Sequence, residues 1–246
     1  MVLAAGIHGS ACLSRPPTLQ PGTRATLFVR DASLDTERIE VHLVRARGAG
    51  DRRPLLLYAT GDGGWRSADR GLFQHLARWG YPVAGFSARH YLEHLGFEAT
   101  TPAHVAEDYG RLIAFAKREL GLPPETPTVL VGFSRGSGLA VVAAGQSELR
   151  PVLGGLLAVA LDDEEEYASM RPYDVLKSLD RLPLAVIQST QDGYLPAAEA
   201  RRLFGPDGEW RRFYAVEARN HTFADAREAL YEHARVALEW IMGPRP

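Results

Sequence analysis

The stretch from Val129 to Gly138 reads VLVGFSRGSG and places a serine between glycines at minus two and plus two. An apolar run precedes Ser134 and a small, apolar segment follows it, which is typical of a strand, a sharp turn and a helix. In such a turn bulky residues two positions away would collide with neighbouring backbone, and the serine is held in a strained conformation. The pattern predicts that Ser134 is a nucleophile. The alternative is an ordinary serine in a glycine-rich loop.

A serine hydroxyl reacts only when a base removes its proton and an acid orients that base. With a nucleophile on a turn of this kind, the acid and then the base follow it along the chain. Asp192 lies in IQSTQDGYLP, directly after an apolar run, and His221 lies in YAVEARNHTF, just before the last helical pattern. We therefore predict that Asp192 is the acid and His221 the base. Asp162 or Asp163 is the alternative acid.

Two backbone N–H groups are expected to stabilise the negative oxygen that forms when the serine attacks a carbonyl. The first belongs to Arg135, which follows the serine at the N-terminus of a helix, where the helix dipole is positive. The second should lie in the loop after the third strand, which reads TGDGGW from Thr60 to Trp65. Its glycines let the backbone approach a ligand closely, and either Asp62 or Gly63 is the predicted donor. The alternative is a flexible turn before a helix.

The elements that would hold these residues alternate between strands and helices. Residues 24–30 and 38–44 predict an antiparallel pair with one exposed face. Short, nearly continuous apolar runs predict parallel strands buried on both faces at 54–59, 81–86, 128–131, 156–160 and 184–187. Helical patterns cover residues 67–79, 104–120, 137–144, 197–204 and 223–242. The alternation predicts a mostly parallel central sheet with helices on both faces, in a three-layer α/β fold.

Composition narrows the class of protein. The 246 residues are 46% hydrophobic and 24% charged, which suits one α/β domain, predicted here over residues 21–246. The net charge is −2 and no Lys/Arg-rich run occurs, so nothing favours nucleic acid as a partner. No apolar run reaches the roughly 18 residues of a membrane-spanning helix. No metal or organic cofactor is implied.

The first 20 residues have a different character from the rest. They begin MVLAAGIHGSACLSRPP, which is small and apolar without a preceding positive charge. This segment is predicted to be either a disordered tail or the remnant of an export signal, with Cys12 as a candidate lipidation site. Export to the periplasm is the corresponding expectation, and a cytoplasmic protein is the alternative. The single cysteine cannot form an internal disulfide.

Four features stand out: GDGGW at 61–65 with Asp69, GFSARHY at 85–91, Thr101-Pro102 followed by AED at 106–108, and the serine turn. Through these motifs the chain resembles the α/β-hydrolase fold over residues 24–242 and, within it, the bacterial virulence protein VirJ/AcvB family. The family usually has GYSFGAD at the serine, where this chain has GFSRGSG, and a double histidine where this chain has Asn220-His221.

The resemblance implies periplasmic hydrolysis of aminoacyl-phosphatidylglycerol, an ester between an amino acid and a lipid headgroup. In that case Asp162, in the acidic run DDEEE, would receive an ammonium group, Arg89 would pair with a phosphate, and Trp65 would contact the substrate. The alternatives are a solvated acidic loop for Asp162 and an ordinary surface ion pair for Arg89. Only residues 162–182 separate the sixth and seventh strands, so a short or absent lid and an open site are expected.

These observations predict a serine esterase that works through an acyl-enzyme. Its substrate would be a small ester or a lipid headgroup, the latter with contact to a membrane surface. Two alternatives remain: a non-catalytic periplasmic accessory protein that binds a partner through the same fold, and an acyltransferase. The oligomeric state is not predicted.

Overall fold

The computed structural model describes residues 16–19, 25–34, 38–46, 53–95, 101–163 and 171–244. Cys12 and Glu164 to Glu166 lie outside these residues, and so does nearly all of the predicted N-terminal tail. The strands are β1 (Ala25–Ser33), β2 (Arg38–Ala46), β3 (Leu55–Ala59), β4 (Val83–Phe86), β5 (Thr128–Phe133), β6 (Leu153–Val159), β7 (Leu184–Ser189) and β8 (Arg211–Val216). The α-helices are α1 (Ser67–Arg78), α2 (Ala88–Leu95), α3 (Pro102–Leu120), α4 (Arg135–Gly145), α5 (Pro172–Ser178), α6 (Ala197–Phe204) and α7 (Arg227–Ile241).

The described strands form one sheet in the order β1-β2-β4-β3-β5-β6-β7-β8. β1 pairs antiparallel with β2, and β2 pairs antiparallel with β4. The pairs from β4 through β3, β5, β6 and β7 to β8 are all parallel. The predicted α/β-hydrolase fold, with its opening antiparallel pair and mostly parallel sheet, is therefore confirmed. Parallel strands end at the same edge of a sheet, so the loops after β3, β4, β5, β6, β7 and β8 meet there.

Helices cover both faces of the sheet, and alternate strand residues point to each. In β3, Leu55 and Leu57 pack in a cluster with α3, α4, α5 and α6, whereas Leu56 and Tyr58 pack in a second cluster with α1 and α7. Because both faces are buried, apolar residues occupy nearly every position of these strands.

The structure differs from the predicted elements mainly in the helices. The short helices α2 and α5 were not predicted, and α7 begins at Arg227 rather than at residue 223. A turn precedes α7, in which the side-chain oxygen of Asn220 accepts hydrogen bonds from the backbone N–H groups of Thr222 and Ala224. Asparagine offers the backbone this alternative to helical hydrogen bonding, which delays the start of the helix. In the part of the chain that the structure describes, no helix has both the length and the apolar character needed to cross a bilayer.

Candidate active site

The turn between β5 and α4 holds Ser134 in a backbone conformation that residues other than glycine rarely adopt. Its φ is 51° and its ψ is −121°. The N–H of Ser134 donates to the carbonyl of Val159 in β6 at 2.8 Å, and the hydroxyl of Ser137, in the first turn of α4, donates to the same carbonyl at 2.8 Å. The neighbouring strand therefore holds the strained residue in place.

Both glycines of the serine motif are required by close contacts between backbones. A β-carbon on Gly132 would lie 2.3 Å from the carbonyl oxygen of Gly136, and one on Gly136 would lie 2.3 Å from the carbonyl oxygen of Ala59. Neither contact is compatible with a side chain unless the backbone moves. The crowding inferred from the sequence motif is thus present, and it brings α4 directly against the end of β3.

Ser134, His221 and Asp192 form a continuous chain of hydrogen bonds. The Nε2 atom of His221 lies 2.7 Å from Oγ of Ser134, and its Nδ1 atom lies 2.7 Å from Oδ2 of Asp192. Because an ionised carboxylate only accepts hydrogen bonds, Nδ1 carries the proton and Nε2 is left to accept the serine proton. The structure therefore brings together the three side chains that the sequence pattern singled out. Asp163, one of the alternative acids, instead accepts from Arg171 and from the N–H of Tyr173.

The carboxylate of Asp192 is buried and held on both oxygens. Oδ1 accepts the N–H of Tyr194 at 2.9 Å, and Oδ2 accepts the side-chain amide of Gln188 at 3.1 Å as well as His221. The same amide of Gln188 donates to the carbonyl of Leu195 at 2.7 Å, which closes the loop around the acid. Sequence reasoning gave Gln188 no role, although a glutamine at the end of a buried strand is an unusual residue there.

An exposed aromatic residue lies beside the histidine. The ring of Tyr194 is 4.7 Å from that of His221 in an edge-to-face arrangement, and 65% of Tyr194 is exposed. The ring of Phe133 contacts His221 from another direction, edge to face at 6.3 Å. Sequence reasoning also missed Tyr194, whose only signal was its position two residues after the acid. Its ring is an exposed surface directly beside the base.

The loop after β3 lies against the serine. A β-carbon on Gly61 would lie 3.5 Å from Cβ of Ser134, and the N–H of Gly64 donates to the carbonyl of Gly61 at 3.0 Å. Asp62 and Gly63 are therefore the central residues of a turn next to the serine. The N–H of Gly61 already donates to Asp69, so Asp62 and Gly63 remain the two candidate donors. Arg135 is the first residue of α4, where N–H groups point out of the helix end.

Asp69 anchors this loop from the first turn of α1. Its Oδ1 atom accepts the N–H of Gly61 at 2.9 Å and the hydroxyl of Tyr58 at 3.1 Å. Burial raises the pKa of Asp69 to about 6, even though these hydrogen bonds lower it. Sequence reasoning had only included Asp69 in the family motif. Its contact with a glycine eight residues earlier depends on how α1 folds back against β3, which no periodic pattern reveals.

We expect the stability advantage of the wild type over Asp69→Asn to shrink as the pH rises from about 4 to about 7. With a pKa of about 6 in the folded protein and 3.8 as the ordinary value, the folded state holds a proton that the unfolded chain has released. The contribution of Asp69 to the free energy of unfolding is therefore complete below its ordinary pKa of 3.8 and is lost as the pH rises through its pKa of about 6 in the folded protein. A shift of roughly two units corresponds to about 3 kcal/mol of unfolding free energy.

Urea denaturation of both proteins across this pH range measures the difference, and a difference that stays constant with pH would contradict the assignment. Tyr58→Phe supplies a second check. It removes a hydrogen bond that lowers the pKa of Asp69. In that variant the pKa of Asp69 should be higher still, so the stabilisation should persist to higher pH before it is lost.

The predicted substrate-binding residues lie around the same edge of the sheet. Arg89 is exposed in the first turn of α2 and forms an ion pair with Glu93 at 2.6 Å. An ordinary surface ion pair was the alternative to phosphate binding. Glu93 is the main cause of the raised pKa of Arg89, and the charge of Asp62 adds to it, so Arg89 lies near the loop after β3. Trp65 is almost entirely buried, with its ring stacked on that of Tyr58.

Asp162, the predicted ammonium ligand, is partly buried just beyond β6. The pKa of Tyr173 is raised, chiefly by burial and then by Asp163, Asp162 and Asp192. All three carboxylates therefore lie close enough to act electrostatically on Tyr173. No group of three or more His, Cys, Asp or Glu side chains suited to a metal ion occurs among the described residues.

Comparisons with known proteins agree with this fold. Residues 54–151 match the model of the family described as bacterial virulence protein (VirJ). The match includes the loop after β3 and the serine turn, but it ends before Asp192 and His221. Among curated proteins, none matches the sequence.

Solved structures resemble the chain at low sequence identity. Est1E from Butyrivibrio proteoclasticus has a TM-score of 0.68 and 14% identity, covering 87% of this chain and 99% of that one. Esterase Pf2001 from Pyrococcus furiosus has a TM-score of 0.67 and 13% identity, covering 96% of this chain and 100% of that one. The acylaminoacyl peptidase of Pyrococcus horikoshii has a TM-score of 0.66 and 12% identity, covering 88% of this chain and 41% of that longer one. At such identities the likeness establishes the fold, which different hydrolases share.

Proposed function

We propose that this chain, which has the α/β-hydrolase fold and resembles VirJ over residues 54–151, is a serine hydrolase that cleaves carboxylic esters through an acyl-enzyme. One observation carries the proposal. The hydrogen-bonded chain from Ser134 through His221 to Asp192, with 2.7 Å at both links, starts from a serine held in a strained turn. Such strain persists only where surrounding structure enforces it, and it is concentrated at reactive sites.

The first half of the reaction forms the acyl-enzyme. Oγ of Ser134 attacks the ester carbonyl while Nε2 of His221 takes its proton, and the carbonyl electron pair moves onto oxygen. The imidazolium then gives that proton to the departing alcohol as the C–O bond breaks. Asp192 remains ionised and stabilises the imidazolium through Nδ1.

The second half releases the acid. His221 removes a proton from water, the hydroxide attacks the acyl carbon, and Ser134 leaves with the proton from His221. The N–H of Arg135 and that of Asp62 or Gly63 would stabilise the oxyanion in both halves, each on the order of 3 kcal/mol of barrier. An acyltransferase would differ only in the acceptor that replaces water.

The narrower proposal for the substrate is an aminoacyl ester of a phosphatidylglycerol headgroup, cleaved in the periplasm. The resemblance to VirJ supports it, together with the location of Arg89 near the loop after β3 and of Asp162 just beyond β6, at the edge of the sheet that carries the serine. A phosphate beside the guanidinium of Arg89 and an ammonium group beside a carboxylate would suit the two ends of this ester. Comparing lysyl-phosphatidylglycerol with short aryl esters tests the assignment, because turnover of the aryl esters alone contradicts it.

Labelling with a fluorophosphonate probe tests the serine hydrolase itself. We expect the phosphorus to bond to Oγ of Ser134 with loss of fluoride, and peptide mapping to identify that residue. Labelling should be absent in Ser134→Ala and far slower in His221→Ala, and Ser147→Ala, at an exposed serine, should react like the wild type. A folded protein that the probe leaves unlabelled would favour the accessory-protein alternative.

A further inference from the structure

A cavity of about 330 Å³ opens at the carboxyl end of β4, separate from the serine, histidine and aspartate. Pro16 contributes to its wall, and the residues that matter for its chemistry are Val29, Glu40, His42, Trp65, Ser87 and His90. The walls thus come from β1, β2, the loop after β3, and the start of α2. Both apolar and polar side chains line it, as in sites that orient one end of a small molecule.

His42 is the distinctive residue of this cavity. It is 1% exposed, and its Nδ1 atom makes no hydrogen bond within the described residues. Its Nε2 atom lies 2.8 Å from Oε1 of Glu40, which is the partner of that nitrogen. Burial lowers the pKa of His42, and the charge and hydrogen bond of Glu40 oppose this shift. Buried polar groups are almost always paired, so the unpaired Nδ1 atom is suited to a hydrogen-bond donor in the cavity.

The cavity is within reach of Ser134. Glu40 and His42 lie in β2 and Ser134 follows the end of β5, and β4 and β3 separate these two strands. Three strand spacings amount to about 14 Å. The loop between β3 and α1 connects the two places, because Gly61 lies against Ser134 and Trp65 lies against His42, at 5.0 Å between rings. A linear ester that reacts at Ser134 can therefore extend one end into the cavity.

We propose that this cavity binds the end of the ester substrate that carries hydrogen-bond donors, an ammonium or hydroxyl group, through Glu40 and His42. This inference rests on the proposed ester hydrolysis. The carboxylate of Glu40 and the acceptor nitrogen of His42 would receive the donors. Val29 and Trp65 supply the apolar wall along which a methylene chain can pack. Glu40 is the acidic residue among the cavity residues, and no lysine or arginine lines the described wall, so donors fit better than an anionic end.

Matched esters test the proposal. Methyl octanoate, methyl 8-hydroxyoctanoate and methyl 8-aminooctanoate differ only at the far end of an eight-carbon chain. The acetates of octanol, 1,8-octanediol and 8-aminooctanol place the same ends on the alcohol side. In one of the two series we expect an ester with a donor to have a kcat/KM about tenfold higher than the plain ester, because one strong hydrogen bond at the far end has an effect of this size. Equal values for all three esters in both series would overturn the proposal.

Variants distinguish the two kinds of donor. Glu40→Gln keeps an acceptor oxygen but removes the charge, so it should abolish a preference for the amine and spare a preference for the hydroxyl. His42→Phe should reduce either preference, measured as the ratio of kcat/KM for the ester with a donor to kcat/KM for the plain octanoate or acetate ester. Glu199→Gln is the matched control, because Glu199 in α6 is 54% exposed, close to the 56% of Glu40. A preference that survives both Glu40→Gln and His42→Phe would also overturn the proposal.

A readout without turnover separates this proposal from the function on which it rests. In Ser134→Ala, 8-aminooctanol or 1,8-octanediol should shift the NMR signals of the His42 ring, and octanol should shift them less. If the wild type hydrolyses none of the esters but these shifts occur, the proposed function fails and the binding site stands. Active enzyme with no shift and no preference refutes the binding site alone.

Discussion

Replacing Ser134 by glycine is expected to abolish ester hydrolysis and, in the same protein, to raise the free energy of unfolding. Loss of the nucleophile should lower kcat on the order of 10⁶-fold, because the residues of such a site act as one unit. The stability gain arises because Ser134 has a φ of 51°, a conformation that costs a residue with a β-carbon of order 1–3 kcal/mol. Part of that gain is offset by the greater freedom of an unfolded glycine, so a net increase of about 1 kcal/mol is expected.

Ser134→Ala is the matched comparison. It removes the same hydroxyl but keeps the β-carbon, so it should be equally inactive without the gain in stability. Hydrolysis of p-nitrophenyl acetate and urea denaturation measure both quantities. A glycine variant no more stable than the alanine variant would show that the turn is not strained, and residual hydrolysis near the wild-type rate would exclude Ser134 as the nucleophile.

Replacing Gly136 by alanine is expected to cause a large loss of stability. Its β-carbon would lie 2.3 Å from the carbonyl oxygen of Ala59 and 2.4 Å from that of Thr60. Both are backbone atoms, so α4 and the end of β3 must separate. Overpacking of this kind costs about 3 kcal/mol or more. The same separation moves Ser134 away from the loop at Gly61, so activity should fall along with stability.

Gly110→Ala provides the control on a neighbouring helix. Gly110 lies inside α3, and its β-carbon would make an ordinary contact of 3.6 Å with Leu149. Alanine is favoured over glycine within helices, so this variant should gain about 0.5–1 kcal/mol and keep full activity. Thermal denaturation and ester hydrolysis of the two variants test the contrast. A Gly136→Ala protein as stable as the wild type would contradict the crowding.

The fold could be predicted because its strands are buried on both faces. A strand such as β7 shows almost uninterrupted apolar residues, and helical patterns between such runs leave few arrangements other than a parallel sheet. The grouping of Ser134, Asp192 and His221 could be inferred for a related reason. Ser134 and Asp192 each follow a predicted strand and His221 precedes the last predicted helix, and in a parallel sheet the ends of all strands meet at one edge.

What the sequence did not reveal depends on contacts between elements. Asp69 and His42 are polar residues whose roles arise from packing, one through α1 folding against β3 and the other through β2 pairing beside β4. In the sequence, both have residue types that are common on protein surfaces. Gln188 and Tyr194 were close to Asp192 in the chain, but only the folded loop shows which groups they contact. The short helix α2 was missed because eight mixed residues carry little periodic signal.

The attachment of the serine turn to β6 has a consequence for heating. Val159 receives the N–H of Ser134 and the hydroxyl of Ser137, and its own N–H donates back to that hydroxyl. Val159 is in the middle of the sheet and is fully buried. The backbone of the nucleophile is therefore attached to a fully buried residue of a strand inside the sheet, which does not open separately from the rest of the sheet. As temperature rises, catalytic competence and the cooperative melting of the whole sheet should disappear together.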